Sequence, residues 1–380
     1  MKLCVFPNDP LRAYYEKGEI KERYFNPNNM FNEIHCISTT SLDIEEVKVQ
    51  KLAGSAKFHI HSVGEINIKN YKKEVNRIIE LVKVINPDVI RTFNPLVQGW
   101  LAAKCSEKLE IPFVLSLHTN YNSIKKNANF KKKIVYKYTE KFIEPYVLNS
   151  ADKIIIVFDM IKYYVNRFTD TFPETLYNGI DLELFSPSTN QEKRESRIIS
   201  VGNFTKFKDH KCLIRAMRNI DAKLILIGNG DKETELKDLI KKLDLEKKIE
   251  IKKSIPNNEL PSFYRNADIF ALAYYPEYES IPKPVMEAMG CGLPVVVTKS
   301  EKFPTGLENI ALSVKRVPEE FSDKINKLLN DSNELERYSK ISLKYAKKFD
   351  IHSIESRQSE IYHELLDKNT DRFQSQNGNL

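Results

Sequence analysis

Two glutamates, Glu279 and Glu287, stand with seven residues between them in the segment Tyr275–Val297, which reads YPEYESIPKPVMEAMGCGLPVVV. Pro282 and Pro284 keep one helix from running through the whole interval. Pro284 suits the first turn of a helix that starts there and carries Glu287 one turn inside, which leaves Glu279 in the preceding loop. A loop leading into a helix N-terminus is suited to anions, because free backbone N–H groups and the helix dipole point the same way. Cys291-Gly292-Leu293-Pro294 then closes the helix and leads into a strand.

The elements that must hold these residues follow a repeated rhythm of short β-rich runs and amphipathic helices, the pattern of parallel sheets with helices on both faces. Strands are expected at 57–63, 88–93, 111–118 and 153–158, with helices at 71–85 and 95–108. The helix at 71–85 sets Val75, Ile78, Ile79, Val82 and Ile85 on one side. The second half repeats the rhythm, with strands at 198–201, 222–228, 248–253, 268–272 and 294–298 and a helix at 232–243. The turn signal Asn178-Gly179 and the polar stretch after Ser186 mark a boundary near 178. The expected organisation is an N-terminal domain over 1–177 and a C-terminal domain over 178–349. A helix over about 350–367 packs back on the first domain, and a polar tail at 368–380 is expected to be disordered. Two such domains would bind a ligand near the carboxyl ends of their strands.

Composition narrows the class. The 380 residues suit two domains, and 41% apolar with 10% aromatic content describes a globular chain. No apolar run reaches the ~18 residues that cross a bilayer, and the run after Met1 does not read as a signal peptide. Five scattered cysteines (Cys4, Cys36, Cys105, Cys212, Cys291) without a CxxC pair argue against a disulfide framework and against a zinc site. The expected setting is cytoplasmic.

The net charge of +7 is modest, but Lys125, Lys126, Lys131, Lys132, Lys133, Lys137 and Lys141 cluster in one stretch. Phe130, Ile134, Tyr138 and Phe142 recur on the opposite helical face. Two readings stay open for 125–142: a surface helix packed on its domain, or an interfacial helix resting peripherally on the inner face of an anionic membrane. No nucleic-acid motif accompanies the stretch, so nucleic acid is not an expected partner.

The glutamate segment resembles the signature of the retaining glycosyltransferases of family 4 (group 1). In that signature a Glu-x7-Glu is followed by Ala-Met, a small residue and Cys-Gly-x-Pro-Val, here Glu279…Glu287-Ala288-Met289-Gly290-Cys291-Gly292-Leu293-Pro294-Val295. Ser200-Val201-Gly202-Asn203-Phe204 with Lys208, Leu224–Gly230, Asn258–Phe270 and Asn178–Pro187 are similar to further family segments, in the same order. The likeness is close over about 150–300 and loose before that.

It implies a GT-B fold, two Rossmann-like doubly wound domains facing across a cleft. The implied activity is transfer of a sugar from a nucleoside diphosphate sugar to a glycan or lipid-linked acceptor, in cell-surface glycan or glycolipid synthesis, with no metal and no other cofactor. Residue by residue, the resemblance implies that Glu287 binds the donor's ribose hydroxyls and that Glu279 faces the transferred sugar. Lys208 would neutralise the diphosphate leaving group, and His118 would reach the sugar from the N-terminal domain. Glu279, His118 and Lys208 form the implied catalytic set. Glu287, Lys208, Asn203, Lys206, Ser280, Ile281, Lys283 and Gly18 form the implied donor-binding set. Asn203 stands where the family usually has Arg, Ser280-Ile281-Pro282 stands for its usual Gly-Phe-Gly, and no Gly-Gly pair follows the first strand. A sugar-nucleotide epimerase and a non-catalytic partner on the same scaffold are the alternatives.

Overall fold

A computed structural model describes the chain except residues 17, 19, 189–194, 254, 277–280, 301–306, 308–309 and 378–380 and the side chains of 127 and 369–377. The chain divides into two compact units, Met1–Leu176 with Ile354–Leu380, and Tyr177–Ser353.

The first unit is built on seven parallel strands: β1 (Lys2–Phe6), β2 (Glu33–Ser38), β3 (Lys57–Ser62), β4 (Val89–Thr92), β5 (Phe113–Leu117), β6 (Lys153–Ile156) and β7 (Glu174–Thr175). They run in the order β3-β2-β1-β4-β5-β6-β7, a doubly wound sheet that reverses direction between β1 and β4. β4 and β5 are buried at every position, as central strands covered on both faces must be. Separate apolar clusters lie on the two faces, one around Ile78, Val82 and Leu101, the other around Leu3, Phe25 and Phe58. The helix Tyr71–Ile85 buries Tyr71, Ile78, Val82 and Ile85. It ends at Asn86, which takes the left-handed conformation (φ 49°) and donates its N–H to the Val82 carbonyl. β2 escapes pattern reading because Glu33 and His35 interrupt its apolar run.

The second unit has six parallel strands: β8 (Arg197–Val201), β9 (Lys223–Ile227), β10 (Ile249–Lys252), β11 (Ile269–Leu272), β12 (Val295–Thr298) and β13 (Leu312–Val314). Their order is β10-β9-β8-β11-β12-β13, so direction reverses between β8 and β11.

The final helix, Ile351–Asn377, carries the chain back onto the first unit. Ile361 and Tyr362 sink into the cluster around Phe31, and the Phe31 and Tyr362 rings meet edge to face at 5.1 Å. The Tyr362 hydroxyl accepts a 3.0 Å bond from the buried Arg91 guanidinium, and Arg357 grips both oxygens of Glu174 at 2.6 and 3.1 Å. The backbone is helical to Asn377. No Gly or Pro occurs between 351 and 377 to break it.

Tyr362→Ala removes a fully buried ring together with a hydroxyl acceptor of Arg91. It should destabilise the first unit by about 3–5 kcal/mol. The chain's one tryptophan, Trp100, packs against the first unit's core and reports that transition by fluorescence in urea.

Candidate functional site

Within the second unit a cavity of about 320 Å³ opens at the carboxyl ends of β8 and β9, beside the reversal of strand order. Val201, Gly202 and Asn203 line it after β8, Ile227 and Gly228 after β9, and Lys283, Pro284 and Glu287 enter from the helix Lys283–Gly290 that follows β11. That helix starts at Lys283, one residue before the expected Pro284, with Pro282 as its cap.

Glu287 anchors the site. It is 3% exposed, its Oε2 accepts a 2.9 Å bond from the Tyr264 hydroxyl, and its Oε1 lies 3.4 Å from Lys283 Nζ one turn earlier. Tyr264 is fully buried, and burial first, then the Glu287 charge, pushes its phenol well above the usual range. The hydroxyl therefore stays a donor at any physiological pH and fixes the carboxylate.

Lys208 is set by backbone rather than by its own side chain. It bridges to Tyr274 in antiparallel fashion, and the next residue's N–H, on Asp209, donates to the Ala273 carbonyl at 2.8 Å. Its ammonium lies 5.3 Å from the Tyr274 ring centre. Asp209 then caps the helix His210–Ala216 by accepting from the Cys212 N–H.

The loops meet because Gly228 allows it. A Cβ on Gly228 would fall 2.2 Å from the Gly202 carbonyl oxygen, and the Gly202 N–H donates to the Ile227 carbonyl at 3.0 Å.

Among the expected residues, then, Glu287, Lys208, Asn203 and Lys283 share one cavity. Lys206 is exposed in the same loop with its ammonium 5.2 Å from the Phe207 ring centre, and Ile281 packs on the core beneath the helix; neither lines the cavity. Glu279 and Ser280 lie outside the described residues. His118 and Gly18 belong to the first unit. His118 is half-buried after β5, packed against the rings of Phe93 and Tyr24. Burial, with Arg91 and Lys21 nearby, pushes its pKa down to about 3, so the ring is neutral at pH 7. Gly18 holds a left-handed turn (φ 67°) after the helix Leu11–Glu16.

Sequence reasoning did not single out Tyr264, Asn257 or His210. Tyr264 sits in a stretch quoted for its family likeness, but only burial reveals its bond to Glu287. His210 lies buried beside the Gly202 loop. Burial, then Lys208, lowers its pKa to about 4, so it adds no charge there at neutral pH.

The arrangement offers an acceptor carboxylate at depth, two ammonium groups and a helix N-terminus. Together these suit a ligand that joins hydroxyls to an anionic group.

Comparison with known proteins agrees in kind. Residues 182–345 match the family model described as glycosyl transferases group 1, and 50–184 match the model for glycosyltransferase family 4. An uncharacterized glycosyltransferase of Methanocaldococcus jannaschii is 26% identical over 284 residues, covering 74% of this chain and 76% of that protein. A Campylobacter jejuni N-acetylgalactosaminyltransferase acting on a diphospho-undecaprenol-linked sugar is 34% identical over 129 residues, 33% of this chain and 34% of its own length. In fold, a Rickettsia africae glycosyltransferase superposes with a TM-score of 0.71 at 17% identity, covering 96% of this chain and 98% of its own. The Anabaena protein HepE, solved with UDP-glucose, superposes with a TM-score of 0.66 at 16% identity, covering 96% of this chain and 100% of its own.

Gly228→Ala should cost the second unit about 1–3 kcal/mol, because the new methyl meets backbone that cannot yield locally. Differential scanning calorimetry should show the second unit's transition falling while that of the first holds.

Proposed function

This chain belongs to the group 1 glycosyltransferases and has their GT-B fold, and on that premise we propose that it moves a sugar from a nucleoside diphosphate sugar to an acceptor hydroxyl with retention of anomeric configuration. The observation that carries the reading is the buried Glu287 carboxylate, held by Tyr264, in a cavity shared with Lys208 and Lys283. Glu287 accepts from vicinal ribose hydroxyls, where two charge-assisted bonds can form at once. Lys208 stands where negative charge grows on the diphosphate as the glycosidic bond breaks. The helix N-terminus at Lys283 adds to the same field.

Attack on the face the diphosphate leaves keeps the anomeric configuration, with a leaving-group oxygen taking the acceptor proton. Glu279 would face the developing positive charge at the anomeric carbon. His118, neutral at pH 7, suits a hydrogen bond to a sugar hydroxyl rather than a charge contact. No divalent ion is required in this scheme.

A thermal-shift panel of UDP, GDP, ADP and CMP tests the donor site. One diphosphate at ~100 times its Kd should raise the melting temperature of the second unit by several degrees. Glu287→Ala should abolish that shift, and Lys208→Ala should cut kcat/KM by ~100-fold or more. Turnover should persist in EDTA. Stabilisation that survives Glu287→Ala would sink the assignment, and loss in EDTA with recovery on Mn²⁺ would sink the metal-free scheme.

The acceptor side of the proposal rests on the first unit's surface. The basic stretch folds as two helices, Tyr121–Asn127 and Phe130–Phe142, the second capped by Asn129. Lys125 is not part of the exposed basic face: it pairs with the buried Glu144 at 2.6 Å and with Glu140 at 3.1 Å. Phe130, Ile134 and Phe142 stay 78, 55 and 54% exposed, beside exposed Lys131, Lys132, Lys133, Lys137 and Lys141. Rings left in water next to lysines favour the interfacial reading over a packed surface helix. We infer peripheral contact with an anionic membrane on its cytoplasmic face and a lipid-linked glycan acceptor. No helix among the described residues is long and apolar enough to cross a membrane.

Co-sedimentation with phosphatidylglycerol vesicles should fall at least ~10-fold in the Phe130→Ser/Phe142→Ser double variant and weaken steeply with salt. Equal binding to neutral phosphatidylcholine vesicles, or none to either, would overturn it.

A further inference from the structure

Three of the chain's seven histidines gather at one edge of the first unit's sheet, apart from the residues assigned above. β3 is the edge strand and β2 its neighbour, running parallel in a register that pairs His35 with His59 and Ile37 with His61. Side chains two apart on a strand share a face, so Glu33 and His35 on β2 and His59 and His61 on β3 rise together from one side. The contacts agree. The His35 ring stacks on His59 with centres 4.6 Å apart and on His61 at 5.3 Å. His35 Nε2 lies 3.3 Å from Glu33 Oε2, and its Nδ1 lies 3.0 Å from His61 Nε2.

We propose that Glu33, His35 and His59 form a zinc-binding site that clips the edge strand β3 to β2, with His61 orienting His35. One ligand atom from each of Glu33, His35 and His59 lies within 4.8 Å of the other two. Tetrahedral zinc with bonds near 2.0–2.1 Å holds its ligand atoms about 3.4 Å apart, so small rotamer changes close the site. Two imidazoles and a carboxylate suit zinc, and three protein ligands leave a fourth position for water.

The hydrogen bonding already sorts the His35 nitrogens. Without a metal, His35 Nε2–H donates to Glu33 Oε2 and Nδ1 meets His61 Nε2; with zinc on the Nε2 side, Nδ1–H can donate to His61 Nε2. A bond to the far ring nitrogen of a liganding histidine fixes its tautomer and raises its basicity. His35 is 8% exposed, whereas Glu33, His59 and His61 are partly exposed, so an ion can enter from solvent. Lys2 Nζ, 3.8 Å from Glu33 Oε2, is the competing cation and sits on a flexible stem.

The site does not overlap the proposed transfer chemistry. Glu33 opens β2 and His59 is the third residue of β3, so the cluster lies toward the amino ends of strands whose carboxyl ends face ligands in this architecture. The ion is a structural clip rather than a participant in transfer.

Isothermal titration calorimetry with Zn²⁺ on chelator-treated, tag-free protein tests this. Wild type should bind one ion per chain in the micromolar range or tighter. Both His35→Gln and His59→Gln should weaken binding ~100-fold, and His61→Gln ~10-fold. Circular dichroism and an unchanged nucleotide-induced thermal shift would show that the variants still fold. Cobalt substitution should give the visible absorption of a tetrahedral ion, lost in His59→Gln. No binding by wild type below millimolar zinc, or an unchanged affinity in the His35→Gln/His59→Gln double variant, would overturn the proposal.

Discussion

A carboxylate taken out of water must be compensated, and the second unit is arranged around that requirement at Glu287. With 3% exposure, its charge would be costly without the Tyr264 hydroxyl on one oxygen and Lys283 near the other. Each partner has its own constraint. Tyr264 is held in a helix, Leu260–Arg265, whose last residue grips the Leu184 and Ser186 carbonyls of the segment that opens the unit. Lys283 is placed by Pro282 and Pro284, which fix where the helix begins. The same geometry keeps the outer side of the carboxylate turned toward the cavity, where ligand hydroxyls can meet it.

The sheet supplies the other half of the site. Because strand order reverses between β8 and β11, the helix after β11 and the loop after β8 diverge to opposite faces and leave a crevice at their shared end. Gly228 then approaches the Gly202 carbonyl so closely that no Cβ fits at position 228. Lys208 reaches the crevice through a loop stitched to the strand end by the Asp209–Ala273 and Tyr275–Phe207 backbone bonds. A lysine fixed by backbone on either side gives up less conformational freedom when a ligand arrives than one on a free loop.

Much of this was legible in the sequence, for physical reasons. Central parallel strands are covered on both faces, so β5, β11 and β12 are continuous apolar runs that composition exposes directly. The helix Tyr71–Ile85 was readable because its apolar spacing is strict. β2 was not: Glu33 and His35 interrupt the apolar run that marked the central strands. Tyr264 was hidden for a different reason. Its partner lies 23 positions away, and a bond across a fold leaves no local period.

The charges lining the cavity bear on the replacement of the family's usual arginine by Asn203. Asn203 is neutral and exposed, and the ionised groups lining the cavity are Lys208, Lys283 and Glu287. Two positive charges against one negative leave a single net positive charge, where an arginine at 203 would leave two. Lys283 is moreover close to Glu287 already, so part of its field is spent internally. Under the proposed donor assignment, ribose hydroxyls donating to Glu287 would lower the carboxylate's demand for Lys283, and the ammonium, 44% exposed on its side chain, would be free to turn toward an anionic group. Ribose recognition and phosphate neutralisation would then be coupled through one ion pair: a ligand with phosphate but no ribose would leave Lys283 engaged with Glu287, and one with both would gain the second cation. On that proposal the missing arginine would be offset by a lysine whose charge becomes available when a whole nucleotide is present.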